Sequence, residues 1–263
     1  MLSSHRGCAE TEARIIATSA SLRSIRRQPP AALLVDLDNT LYDYRQAAAQ
    51  ALDALARGLQ ADFGLDAAIV AERYRALAQL PAQVPPRYGL EARRRRIEHL
   101  LTELLPGHAF EADRYVACYG ESLLASIHWF AGARQALLEL ARRLPLLIVS
   151  EGSGDIARPI MDTLGLDAAG WPLLCSFDHG VSKRDGGAYH LALQWLHQPA
   201  EAVVMMGDNW TLDILGAAAA GIDQVWITPD APDLLPTVPQ GYLGRAADFA
   251  AACRLLFPDQ GAA

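Results

Sequence analysis

The chain lacks nearly everything that would make it a disulfide scaffold, a zinc module, a membrane protein or a nucleic-acid binder. Its four cysteines, at positions 8, 118, 175 and 253, lie far apart and form no CxxC or Cys/His pair. They read as small buried hydrophobes in a reducing compartment. No apolar run approaches the ~18 residues that a bilayer-spanning helix needs, and the first residues lack the apolar stretch of a secretory signal. Positive charge is in deficit. The formal net charge of −7 argues against non-specific contact with nucleic acid. Repeats and low-complexity tracts are missing as well. The expectation is a cytoplasmic protein with neither a membrane nor a nucleic-acid partner; the oligomeric state has no visible determinant.

What is present is a hydrophobic fraction of 51% over 263 residues, enough for a sizeable core in one large domain or a domain with an insertion. Residues 1–30 are small, polar and arginine-containing, and end in Arg26-Arg27-Gln28-Pro29-Pro30. Glu10 and Glu12 weigh against a transit peptide, so a flexible leader is expected. The chain is organised around the stretch that follows. Leu33, Leu34 and Val35 read as a strand buried on both faces, and it ends in Asp36-Leu37-Asp38-Asn39-Thr40. On an extended backbone, positions i and i+2 face the same side. Asp36 and Asp38 would therefore share one spot at the strand's carboxyl end and repel unless a cation or a proton intervenes. Mg²⁺, a hard cation that accepts carboxylate and carbonyl oxygens, suits the pair. A polar Asp-Asn turn leaving the core explains this stretch equally well.

A helical region then runs from about residue 45 to 128. Segments Arg45–Phe63, Asp66–Leu80, Leu90–Leu105 and Glu111–Ser126 are set apart by Gly64, by Pro81 with Pro85-Pro86, and by Pro106-Gly107. From Phe130 onward, short apolar strands (Leu146–Val149, Leu173–Ser176, Ala202–Met206, Gln224–Thr228) alternate with helices at Gly132–Leu144, Asp155–Leu164, Ala188–Leu196, Thr211–Ala220 and Ala246–Phe257. This pattern predicts an α/β fold: a doubly wound parallel sheet with an inserted all-helical domain. The expected divisions are a leader at 1–30, a core at 31–44 and 129–263, and the insert at 45–128.

Four polar clusters fall where strands or loops meet helices: Asp36/Asp38/Thr40, Ser150-Glu151-Gly152, Lys183, and Gly207-Asp208-Asn209 through Asp213. In a doubly wound sheet all strand carboxyl ends share one edge, so these clusters can meet in one crevice. Taken singly each has a plainer reading. Thr40 could bond its own turn, Lys183 could be a solvated lysine, and Asp213 could be a first-turn carboxylate after an N-cap at Thr211. The run Arg93–Arg96 spreads around a helix, at most two to a face, and reads as a solvated surface. Trp210 reads as packing, and His128-Trp129 as a linker.

The order D-x-D-x-T, Ser, Lys, G-D-x-x-x-x-D resembles the haloacid dehalogenase-like superfamily of aspartyl-nucleophile phosphohydrolases. The helical insert looks like that superfamily's cap. The resemblance covers residues 31 to about 257. It implies that Asp36 is the nucleophile, that Asp38 is the general acid and base, and that Thr40, Ser150, Glu151, Gly152 and Lys183 contact the substrate's phosphoryl group. It also implies Mg²⁺ held by Asp36, the Asp38 carbonyl and Asp208, with Asp213 or Asn209 in or near the shell. The expected activity is hydrolysis of a small-molecule phosphate ester. The alternatives are a phosphoryl-transferring mutase, or an impaired protein that only binds phosphate ligands. A dehalogenase fits less well, because in that branch the second aspartate is absent. Two departures stand out. Ser150-Glu151-Gly152 replaces the usual Ser/Thr-Asn-Gly, which sets a carboxylate beside an anion site unless it points away or pairs with a cation such as Arg184. Arg184 also stands where proline usually follows the lysine, so a looser loop is expected there.

Overall fold

The computed structural model describes residues 29–79, 88–166, 170–229 and 238–257. All but the end of the expected leader, and the prolines at 81, 85 and 86, lie outside the described residues. Strand β1 (Ala32–Val35) is buried along its whole length, as a strand without a single polar side chain must be. After it come four helices: α1 (Tyr44–Phe63), α2 (Ala67–Gln79), α3 (Gly89–Leu104) and α4 (Ala112–Ala125).

Helix α1 begins at Asp43, whose carboxylate accepts the Gln46 N–H at 2.8 Å. It ends at Gly64, in the left-handed conformation with φ 71° that a glycine tolerates at such a terminus. Its buried residues, Ala47, Ala51, Leu52, Leu55, Ala56 and Leu59, recur at helical spacing and seat it on α4 and α2; α3 closes the bundle. This cap and the core share one apolar cluster. The chain enters and leaves the cap side by side, because the Phe130 N–H donates to the Leu41 carbonyl at 2.9 Å.

Beyond the cap the order is α5 (Ala133–Ala141), β2 (Leu146–Ser150), α6 (Gly154–Thr163), β3 (Leu173–Cys175), α7 (Gly187–Leu196), β4 (Val203–Gly207), α8 (Gly216–Ala219), β5 (Asp223–Ile227), β6 (Tyr242–Ala246) and α9 (Phe249–Leu256). The six strands are parallel in the order β3-β2-β1-β4-β5-β6. Ala32 and Leu34 point to the face covered by α7 and α8. Leu33 and Val35 point to the other face, among residues of α5, α6 and α9, as period-two alternation requires. The strand order reverses direction between β1 and β4, and that switch point is where open α/β sheets bind ligands. Among the described residues, no helix is long and apolar enough to cross a membrane.

The structure corrects the sequence reading in three places. Strand β6 was not expected, because Gly244 and Arg245 interrupt its apolar pattern and it occupies a sheet edge with a register shift opposite Gln224/Val225. The last helix starts after Asp248, whose carboxylate caps the Ala251 N–H, rather than at Ala246. The segment read as one helix from Thr211 is a π-helical turn, Trp210–Leu215, followed by the short α8.

Candidate active site

The Asp36 N–H donates to the Met206 carbonyl at 2.9 Å. That bond carries the β1–β4 ladder one residue further and fixes Asp36 at the switch point. The chain then turns through Asn39 at φ 57°, a left-handed conformation that asparagine adopts more readily than most residues. Tyr42, fully buried, donates its hydroxyl to Asp38 Oδ1 at 2.5 Å. Thr40 is also fully buried, and its hydroxyl has no hydrogen-bond partner among the described residues, so the local turn bond considered for it is not made.

Lys183 arrives from the loop before α7 with 1% of its side chain exposed. Its Nζ lies 2.6 Å from Asp36 Oδ1 and 2.5 Å from Asp213 Oδ1. A buried ammonium demands such partners. Burial pulls the Lys183 pKa down, but Asp213 and then Asp36 outweigh it, and the net value sits well above that of an ordinary lysine.

Asp213 is set by the π-helical turn. Asn209, not Thr211, caps that turn, its side chain accepting the N–H groups of Thr211 and Leu212 at 3.0 Å each. Asp213 Oδ2 accepts the Asn209 N–H at 2.8 Å. Gly207 is obligatory beside it, since a β-carbon there would collide with the Asp213 carboxylate. Asp208 Oδ2 meets the exposed Arg45 guanidinium at 3.1 Å. Trp210 packs edge-on against Trp226 and Tyr242, as expected.

At the end of β2, the buried Ser150 accepts the Gly152 N–H on its Oγ at 3.2 Å. The Glu151 carboxylate turns toward the lysine loop. Its Oε2 accepts the Lys183 N–H at 2.7 Å and the Ser176 hydroxyl at 2.9 Å, and its Oε1 accepts the Ser182 hydroxyl at 2.7 Å. These donors, rather than Arg184, hold it.

The electrostatic balance is negative. Burial pushes the Asp36 carboxyl well above the usual range; Lys183 opposes this, while Asp213, Asp208 and Asp38 add to it. Burial likewise raises Asp38, against the Tyr42 hydrogen bond and Lys183. Asp208 is pushed up to about 6, by burial first and then by Asp213. Oxygens of Asp36, Asp208 and Asp213 lie within 4.8 Å of one another. Both Asp213 oxygens are engaged, by Lys183 and by the Asn209 N–H. Among the described residues, Asp36 Oδ2 and Asp208 Oδ1 accept no hydrogen bond. A set of hard oxygen donors with surplus negative charge fits a divalent cation such as Mg²⁺.

A family model described as haloacid dehalogenase-like hydrolase matches residues 30–221. The chain belongs to the haloacid dehalogenase-like hydrolases. It is 26% identical over 212 residues to 5-amino-6-(5-phospho-D-ribitylamino)uracil phosphatase YigB of Escherichia coli, covering 78% of this chain and 87% of that one. The magnesium-bound structure of the HAD-hydrolase YfnB from Bacillus subtilis superposes with a TM-score of 0.67 at 22% identity, over 87% of this chain and 99% of that one. A 2-haloacid dehalogenase from Pseudomonas syringae superposes with a TM-score of 0.62 at 26% identity, over 86% and 98% of the two chains. The helical cap and the parallel core are thus those of a haloacid dehalogenase-like hydrolase.

The sequence singled out Asp36, Asp38, Lys183, Asp208 and Asp213, and in this hydrolase they come together at the carboxyl ends of β1 and β4. Tyr42, Arg45, Ser176, Ser182, Tyr189 and Gly216 escaped notice. The Tyr189 hydroxyl, which donates to the Leu212 carbonyl at 2.9 Å, sits on an apolar helix face where tyrosine reads as core.

Proposed function

We propose that this hydrolase is a cytoplasmic, Mg²⁺-dependent phosphomonoesterase that acts on a small-molecule ester through an aspartyl-phosphate on Asp36. The observation that carries the reading is Asp38, a second carboxyl group beside the nucleophile. It is held by Tyr42 at 2.5 Å and its pKa is raised by burial, as suits a group that must both give and take a proton. A displacement at carbon with halide leaving has no use for it. The phosphatase activity of YigB and the magnesium bound to YfnB support the same reading.

The residues divide the work as follows. An Asp36 carboxylate oxygen attacks phosphorus, the bond from phosphorus to the ester oxygen breaks, and the departing oxygen takes the Asp38 proton. Asp38, now a carboxylate, takes a proton from water as that water attacks the aspartyl-phosphate. The bond from phosphorus to Asp36 breaks, phosphate leaves, and both acids return to their starting state. Lys183 donates two of its three N–H bonds to Asp36 and Asp213, which leaves the third for a phosphoryl oxygen. The unpartnered Thr40 hydroxyl and the Ser150 hydroxyl are further donors to phosphoryl oxygens, and the Gly152 N–H becomes one where it leaves the Ser150 Oγ. Asp36, the Asp38 carbonyl and Asp208 would hold Mg²⁺, with Asp213 at the edge of its shell. When bound, the ion neutralises charge on the phosphoryl group so that a carboxylate can approach it. In this reading the cap over residues 45–128 selects the ester, and the core at 31–44 and 129–263 performs the chemistry.

The test is hydrolysis of p-nitrophenyl phosphate and a panel of sugar, nucleotide and amino-acid phosphates, with Mg²⁺ chelated and restored. Asp36→Asn should abolish turnover, and Asp38→Asn should lower kcat by about 10²–10⁴. Should the wild type release no phosphate from any ester, and Asp36→Asn behave identically, the proposal is wrong.

A further inference from the structure

The arginine run on α3 is divided by the helix into two pairs with opposite fates. Arg94 and Arg95 face outward and are neutralised: Arg94 by Glu98 at 3.0 Å and Asp113 at 3.2 Å, Arg95 by Glu91 at 2.7 Å. Arg93 and Arg96, three residues apart and so on one face, turn inward to tyrosines. The Arg93 guanidinium lies 5.1 Å from the Tyr119 ring centre and that of Arg96 lies 5.6 Å from Tyr74. The two rings stack at 5.4 Å. Arg93 is only 8% exposed, yet among the described residues it has no ion pair. Lys183, buried as deeply, pairs with both Asp36 and Asp213. Contact with a ring face returns only part of what a guanidinium loses on leaving water.

Tyr74 and Tyr119 pack in the same apolar cluster as Tyr42 and Tyr44, which lie beside the catalytic centre. Tyr42 holds Asp38, and the Tyr44 ring meets the Tyr42 ring edge-on at 6.5 Å. The Tyr44 hydroxyl, raised chiefly by burial, is pushed further by Asp38 and relieved by Arg93 and Arg96; it sits in the fields of both. The leaving-group oxygen is the atom that Asp38 protonates, so whatever is attached to that oxygen extends from Asp38 toward the cap.

We infer that Arg93 and Arg96, flanked by Tyr44, Tyr74 and Tyr119, bind a second anionic group on the leaving-group side of the substrate. The substrate class is then a phosphate ester whose alcohol part carries a carboxylate or another phosphate. This rests on the phosphomonoesterase reading for the identity of the first group. A guanidinium offers paired N–H donors matched to either oxyanion, so one site accepts both.

Calorimetry on the Asp36→Asn variant with Mg²⁺ separates the two ideas, because it measures binding and not turnover. The probes are two matched pairs: 3-phosphoglycerate against glycerol 3-phosphate, and fructose 1,6-bisphosphate against fructose 6-phosphate. The member with the second anionic group should bind tighter by about tenfold or more in at least one pair, and which pair responds identifies carboxylate or phosphate. Adding Arg93→Met should bring that ratio toward one, Arg96→Gln should lower it, and Arg94→Ala should leave it unchanged. Circular dichroism on each variant verifies the fold, and Arg96→Gln decides the matter if Arg93→Met does not fold. Equal affinities within both pairs, or a preference that survives in the folded inward-facing variants, would overturn the inference. A preference in binding without hydrolysis by the wild type would instead leave the anion site standing and remove the phosphatase.

Discussion

The backbone carbonyl of Lys183 rests directly on the α-carbon of Gly216, so closely that a β-carbon there would overlap the carbonyl oxygen. The obstacle is main chain, which cannot swing aside as a flexible side chain would. Gly216→Ala should therefore displace the lysine loop, destabilise the protein by about 2 kcal/mol or more and weaken turnover. The control is Gly107→Ala, in the cap, where nothing lies near the added carbon; that change strains only a positive φ of 79°. Denaturant melts of the two variants give the comparison, and equal losses would remove the argument for close packing at Gly216.

Glu151 holds the same loop from the other side, through the Lys183 N–H and the hydroxyls of Ser176 and Ser182. Glu151→Ala would strand the Lys183 N–H and the Ser182 hydroxyl in a part-buried setting, at about 1–3 kcal/mol each where no water replaces the bond, while the Ser176 hydroxyl keeps the Glu151 carbonyl at 2.9 Å. The expected result is a kcat lower by about tenfold to a hundredfold, accompanied by a lower melting temperature. Glu151→Gln, which keeps two acceptor positions on its amide oxygen, should recover part of both. A direct substrate contact by Glu151 would instead change KM and leave the melting temperature unmoved, so the two readouts together discriminate.

Much of this was legible in the sequence because it is written in short-range pattern. Apolar runs marked five of the six strands, glycines and prolines divided the cap, and the acids fell at strand ends. What was illegible is long-range. Glu151 looked like a charge set against an anion site, because only the fold brings Ser176, Ser182 and Lys183 to it. Gly216 opens an alanine-rich segment where a glycine carries no local signal; its necessity comes from a carbonyl 33 residues earlier. Strand β6 was hidden by Gly244 and Arg245, which an edge position tolerates. The arginine run was read as a solvated face, and that is right for Arg94 and Arg95 but not for Arg93, whose burial depends on Tyr119 from another helix.

In the proposed reading, Arg45 and a divalent cation would compete for Asp208. The guanidinium is 80% exposed on its side chain and touches Asp208 Oδ2 at 3.1 Å, a pair whose own contribution is about 0–1 kcal/mol. Arg45→Ala should cost little stability and tighten Mg²⁺ binding by a few-fold at most, as measured by calorimetry at low ionic strength. Added salt should narrow the difference between the variant and the wild type, since an exposed charge is screened. Weaker Mg²⁺ binding in the variant would mean that Arg45 supports the acidic cluster rather than competing for it.

Metal-free protein should lose stability as pH rises through the range where Asp208 ionises. Its carboxyl sits at about 6 in the folded chain, above the ordinary 3.8, and Asp36 is raised in the same direction. The folded state therefore binds these protons more tightly than the unfolded chain. The stabilisation is full below the unfolded value near 4 and disappears as pH climbs past about 6. Mg²⁺ should reverse the trend, because in the proposed reading it binds the ionised carboxylates: its stabilising effect should be small at about pH 5 and reach about 2–3 kcal/mol near pH 7.5 at saturating metal. Asp208→Asn removes the raised carboxyl, so its metal-free melting temperature should change less across this window and respond weakly to Mg²⁺. Thermal melts of both proteins, with chelator and with Mg²⁺, provide the measurement. If chelated wild type instead grew more stable between about pH 5 and pH 7.5 while Asp208→Asn followed it in parallel, the acids would not be sharing one buried, cation-deficient site.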